Sequence, residues 1–330
     1  MQWLFLLVST LAWGIAEIFY KKGNLDKEKY SHLKTTVFVG IFFGIYALVI
    51  TIIQSVQDIE FLKHIPINIL IYMPVALCYI VSMTCSYFGV RFIQESISDP
   101  IENSSGAIVP ILCAIFLHET VPAIGIAGIC VVVVGLVCIS FFDKNGQNDR
   151  KIKLGKKLAV LAFAMPFCYA MLDAVGTFLD IFYTEEASSS LLRGVTDDNL
   201  EHMANCCYEF IFFLIAMGIL VFLKIKKVSF FGFGVKSNSN DSNDVIMLSN
   251  KQQILQQKDK VLAALFETIG QATYLFALSE GGGIAAVIMG AGTVITSLIL
   301  SRVFLKEKLS MMQYVSVAIV LAGIILLSFI

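Results

Sequence analysis

The chain has 330 residues, of which 57% are hydrophobic and 15% charged, with a mean hydropathy of +0.80 and a formal net charge of −1. A soluble domain carries about 25% charged residues, so this composition excludes a soluble enzyme or binding module and points to a polytopic, all-α membrane protein whose surroundings are the lipid bilayer. No nucleic-acid partner is expected.

Runs of about 20 residues nearly free of charge match the length a helix needs to cross the hydrocarbon core. Ten are expected, at 2–20, 35–56, 68–90, 100–117, 121–142, 157–183, 203–223, 261–279, 283–304 and 309–330. The first ends without a small-residue cleavage site, so it reads as a retained helix rather than a signal peptide. It holds Trp13, Gly14 and Glu17. Glu17 lies four residues before Lys21, the spacing of an ordinary interfacial ion pair. The third segment carries a stripe of Tyr72, Tyr79, Ser82 and Ser86 and is followed by Arg91. If that stripe faces a cavity, it supplies ring faces for a cationic or planar solute.

The fourth segment opens on SDPIENSSGAIVPILCAIFLHE, Ser98 to Glu119. Asp99 reads as a helix N-cap, Pro100 as the first helical residue and Glu102 as the partner of a capping box. Capping does not explain why Asn103, Ser104 and Ser105 continue inward, where lipid cannot solvate them. Glu102 and Asn103 are therefore candidates for a polar cavity. Glu119 and Glu307 open the fifth and tenth segments, where a carboxylate favours the positive end of the helix dipole, and they read as structural caps.

Asp173 lies about 16 residues into the sixth segment, and Gly176, Thr177 and Asp180 continue its face. A charge that deep costs a few kcal/mol and faces protein or water rather than lipid. Asp180 is close enough to the outer end to reach water. Glu209 sits at moderate depth in the seventh segment, where it reads as paired or snorkelling. Glu267, Gln271 and Tyr274 share a face of the eighth. Gly281, Gly282 and Gly283 form a short turn into the ninth, whose start is rich in small residues.

All but two of the 24 lysines and arginines fall in alternate loops. The positive-inside rule places those loops in the cytoplasm and both termini outside. Residues 228–258 read as a flexible cytoplasmic linker rich in Asn, Ser and Gln. The eight cysteines lie mostly inside apolar runs and read as small buried hydrophobes, with no zinc spacing. No metal or cofactor is expected.

Phe116, Leu117, Glu119, Gly135, Ser140 and Phe141 align without gaps on Phe304, Leu305, Glu307, Gly323, Ser328 and Phe329. A weaker match sets WGIAE, ending at Glu17, against YAMLD, ending at Asp173. Residues 1–150 and 151–330 thus read as two five-helix repeats. An odd number per half inserts them in opposite senses, the inverted-repeat plan of secondary transporters.

The twin FL-[HK]-E turns, Trp13-Gly14 and the small-residue entry to the ninth segment together resemble the drug/metabolite transporter superfamily, specifically its EamA-like ten-helix permeases. The resemblance implies a central cavity lined by the first, third, fourth, sixth, eighth and ninth helices. It also implies cytoplasmic termini, against the lysine distribution, which leaves transport direction open.

The expected function is secondary transport of a small polar, zwitterionic or cationic solute across the cell membrane, by proton-coupled alternating access, as a monomer or a homodimer. Asp173, Glu102, Asn103, Glu267, Gln271, Glu17, Trp13 and Tyr79 are the expected site residues. A divalent-cation carrier of the same superfamily is the alternative, since carboxylates are hard oxygen ligands. An intramembrane enzyme is more distant: all four histidines lie in loops or at helix ends, and no HExxH or GxSxG motif is present.

Overall fold

The computed structural model describes residues 2–24, 28, 30–93, 95–118, 120–141, 156–184, 187–231, 235–236, 245–246, 255, 257–305, 310–327 and 329. The caps expected at Glu119 and Glu307 and most of the 228–258 linker lie outside these residues. The regular elements of the described chain are helices, apart from two strands of two residues each, β1 (Val235–Lys236) and β2 (Val245–Ile246), paired antiparallel within the linker.

The helices are α1 (Gln2–Gly23), α2 (Ser31–Gln57), α3 (Ile59–Gly89), α4 (Glu95–Glu102), α5 (Ser105–Phe116), α6 (Ala123–Phe141), α7 (Lys156–Thr184), α8 (Leu200–Ile225), α9 (Lys258–Leu300) and α10 (Met311–Leu327). A short π-helical turn, Ser301–Leu305, follows α9. Seven described spans are long and apolar enough to cross a bilayer, counting α9 as two arms, and Ala123–Cys138 and Met311–Leu327 are shorter apolar helices. This is a multi-pass membrane protein.

Three local features bear on the expected segments. First, α3 begins at Ile59, nine residues before the expected 68, because Asp58 alone separates it from α2 and caps it by accepting from Glu60 N at 2.9 Å. Second, the glycine turn stands where expected, and α9 is two helical arms joined at a kink there. Gly282 has φ 52 and ψ −147, a conformation that only glycine adopts without strain, and it folds the two arms back on each other. Third, the expected fourth segment is broken at Asn103–Ser104, between α4 and α5.

That break corrects the cap assigned to Asp99. The helix begins earlier, at Glu95, so Asp99 lies inside α4. Its carboxylate accepts from Asn103 Nδ2 at 2.6 Å and from the Ser297 hydroxyl of α9 instead. Glu102 accepts from Ser98 Oγ at 2.7 Å and so closes no capping box.

Packing brings together helices distant in sequence: α1 with α9, α2 with α8, α3 with α7, α5 with α9 and α6 with α10. Close approach sets the last pair. A Cβ on Gly135 would lie 2.4 Å from Val320, and one on Gly323 would lie 2.7 Å from Val132. Small residues that let backbones touch are the usual basis of helix association in lipid, where burial of apolar surface gives no driving force. An apolar cluster forms there, including Val132, Leu136, Val294 and Leu298.

Candidate functional site

Where α1, α3, α5, α7, α8 and both arms of α9 converge, they leave a cavity of about 80 Å³. One water needs roughly 10–15 Å³ of such space, so it has room for several waters or one small solute.

Three carboxylates reach its wall: Glu17 from α1, Asp173 from α7 and Glu267 from α9. No lysine, arginine or histidine lines it among the described residues. Each acid is paired with a neighbour one helical turn away on the same face. Trp13 accompanies Glu17, Tyr169 accompanies Asp173, and Gln271 accompanies Glu267. Asp173 accepts from Ser105 Oγ at 2.6 Å and from the Tyr169 hydroxyl. Gln271 Nε2 donates to Asn205 Oδ1 of α8 at 3.3 Å. Trp13 packs its indole on Tyr274, with ring centroids 5.0 Å apart.

Asn103 lines the cavity from the break between α4 and α5. Its amide donates to the Asp99 carbonyl at 3.0 Å as well as to the carboxylate. The break therefore carries its own side-chain partners, which irregular backbone inside a membrane protein needs.

Two clusters of hydroxyls and acids bound the cavity along the helix axes. At one end, Tyr87 donates to the Tyr20 hydroxyl at 2.9 Å, and Tyr20 donates to Glu267 Oε2 at 2.7 Å. At the other, Tyr79 and Tyr72 both donate to Asp180, Tyr79 at 2.7 Å. Thr177 and Tyr274 join this second cluster through a 2.8 Å contact between their hydroxyls. Asp180 is 1% exposed. It does not reach water at the helix end as expected, because the phenols of α3 enclose it.

Beyond Tyr20 and Tyr87 the end is closed by ions. Glu28, in the turn between α1 and α2, accepts from Lys34 Nζ at 2.7 Å and Lys260 Nζ at 2.6 Å, and Ser31 Oγ donates to it at 2.9 Å. All three charged groups are buried. Burial pushes the Glu28 carboxyl up, but Lys260 and Lys34 outweigh it and hold the group below its ordinary value. Arg91 Nη2 donates to the Glu28 carbonyl at 2.9 Å, and Lys21 Nζ caps the end of α3 at the Val90 carbonyl, 2.7 Å away, and at that of Ile93.

Of the residues expected in a site, Trp13, Glu17, Tyr79, Asn103, Asp173, Glu267 and Gln271 all line this one cavity. Glu102 does not. It is 4% exposed and lies behind the wall, bonded to Ser98 and to the cavity-lining Ser86. Tyr20 and Tyr87 were not singled out by the sequence. Their only signals are the distance of Tyr20 from Glu17 and the place of Tyr87 just past the α3 stripe. Among the described residues no three His, Cys, Asp or Glu side chains converge as a metal site.

No curated protein matches the chain. A solved crystal structure is similar over 99% of this chain and 96% of its own, with a TM-score of 0.58 at 11% identity, a likeness of fold. The description of the EamA-like transporter family matches residues 2–141 and 193–329, which take in every helix that lines the cavity except α7. With most of its length matched in two blocks, the chain belongs to the EamA-like transporter family of the drug/metabolite transporter superfamily.

Proposed function

We propose that ten apolar segments cross the cell membrane as two five-helix halves of opposite sense, and that they exchange protons for a small organic cation or zwitterion by alternating access. The observation that carries the substrate class is the charge of the cavity wall: three carboxylates, many aromatic rings and, among the described residues, no basic group. An ammonium group gains from both carboxylates and ring faces, whereas a phosphorylated solute finds no counter-charge. Asp173 is the proton-exchanging group in this reading, with Glu267 and Glu17 nearer the ion-closed end.

The inverted plan draws support from α6 and α10. Gly135 meets Val320 and Gly323 meets Val132, so one index rises as the other falls and the helices run antiparallel. In the gapless alignment of the two halves, Gly135 pairs with Gly323 and Val132 with Val320. The contact is thus exchanged between equivalent residues, as a twofold axis requires. The pairings α2 with α8 and α6 with α10 likewise join second to second and fifth to fifth segments of each half.

Proteoliposomes loaded with a pH-sensitive dye and offered amines, amino acids and neutral polar solutes test the proposal. An amine or amino acid should move protons outward against its own entry, and Asp173→Asn should abolish that proton movement with expression unchanged. Full coupling in Asp173→Asn removes this residue from the mechanism. The lysine distribution puts both termini outside. A cysteine placed at Gly146 should then resist impermeant reagent applied to intact cells, and ready labelling inverts the orientation.

A further inference from the structure

α8 carries an acid that the cavity does not use. Glu209 is 0% exposed, and neither carboxylate oxygen has a hydrogen-bond partner among the described residues. It is buried where α8 packs on α2. The titratable groups facing it are the Tyr46 phenol of α2 and the Cys206 thiol and Tyr208 phenol of its own helix, with no charged side chain among the described residues. A buried carboxylate without a counter-charge is so costly that the group takes up a proton instead.

One turn earlier on the same face of α8 stands Asn205. Its Nδ2 also has no partner among the described residues, while its Oδ1 accepts from Gln271. Gln271 lines the cavity. Asn205, one turn from Glu209, thus extends the line of polar groups that starts at the cavity wall with Gln271.

We propose that Glu209 is a proton-binding site, held as the neutral acid and exchanging its proton with the cavity along Asn205 and Gln271. On loading, a hydronium in the cavity breaks one O–H bond and leaves as water while the proton forms an O–H bond on one carboxylate oxygen; on release that bond breaks and a cavity water takes the proton as hydronium. The two amides orient the water and do not themselves titrate. The inference rests on the cavity holding water and not on the role of Asp173, so loss or retention of coupling in Asp173→Asn leaves its test unchanged.

Infrared spectra of the full chain in lipid vesicles provide that test. The wild type should show a protonated-carboxyl stretch that Glu209→Gln removes and that shifts in deuterium oxide. Asn205→Leu and Gln271→Leu should slow the shift several-fold. An unchanged carboxyl band in Glu209→Gln means that Glu209 is ionised and overturns the proposal. Unchanged exchange in both leucine variants overturns the route. A band that sodium abolishes at constant pH overturns the proton assignment in favour of a metal cation. A fold-independent check needs only wild type: dicyclohexylcarbodiimide should leave an adduct mapped by mass spectrometry to Glu209, and no adduct there overturns the proposal.

Discussion

The two ends of the cavity are closed by different chemistry. At the α1–α2 turn, Glu28, Lys34, Lys260, Arg91 and Lys21 lie buried together behind Tyr20 and Tyr87. At the other end, Asp180 is held by tyrosine hydroxyls, with Thr177 and Tyr274 beside it and no cation among the described residues. Glu267 and Tyr274, one in each cluster, are seven residues apart on α9, about 10 Å of rise. The cavity is thus one short step from either closure. The ionic end loses much when any member leaves, because a stranded buried charge is expensive. The hydroxyl end exchanges neutral donors for water at small cost. The difference teaches that the two closures need not be equally costly to part, and that the hydroxyl end is the cheaper.

The largest effect should come from Glu28→Leu, which strands Lys34 and Lys260 together. It should lower stability by about 3–5 kcal/mol, read as thermal unfolding in detergent; an unchanged unfolding temperature would mean that this end is not held by ions. Acid probes the same latch in the native chain. Because the two lysines hold the Glu28 carboxyl below its ordinary value of 4.5, its contribution is complete above that value and is lost as pH falls through the lower folded value. Unfolding temperature should therefore drop below about pH 4.5 with a component missing from Glu28→Gln. Tyr72→Phe should cost least, about 1–3 kcal/mol, since Asp180 keeps Tyr79. A loss as large as that of Glu28→Leu would erase the distinction between the ends.

Much of the cavity could be read from spacing. Acids at positions where lipid cannot solvate them mark Asp173 and Glu267, and an aromatic one turn before an acid marks both Trp13–Glu17 and Tyr169–Asp173. The break at Asn103–Ser104 could not be read, because Asp99-Pro100 imitates the start of a helix while the true start at Glu95 has no comparable signal. Nor could Glu28: it lies in a lysine-rich turn where every charge looks solvated, and its burial depends on α9, more than 200 residues away. Asp180 misled for the opposite reason. Its place near a helix end suggests water, but the neighbouring α3 extends far enough to cover it.

Gly282 gives the hairpin of α9 almost no slack. One residue in a left-handed conformation reverses the chain, and a Cβ on its neighbour Gly283 would lie 3.0 Å from the Pro110 Cα of α5. The arm bearing Glu267 and the arm bearing Gly290 therefore cannot slide independently. The arm from Lys260 to Gly282 thus ties the ionic contact at Glu28 to the close approach at Pro110, like a strut pinned at both ends.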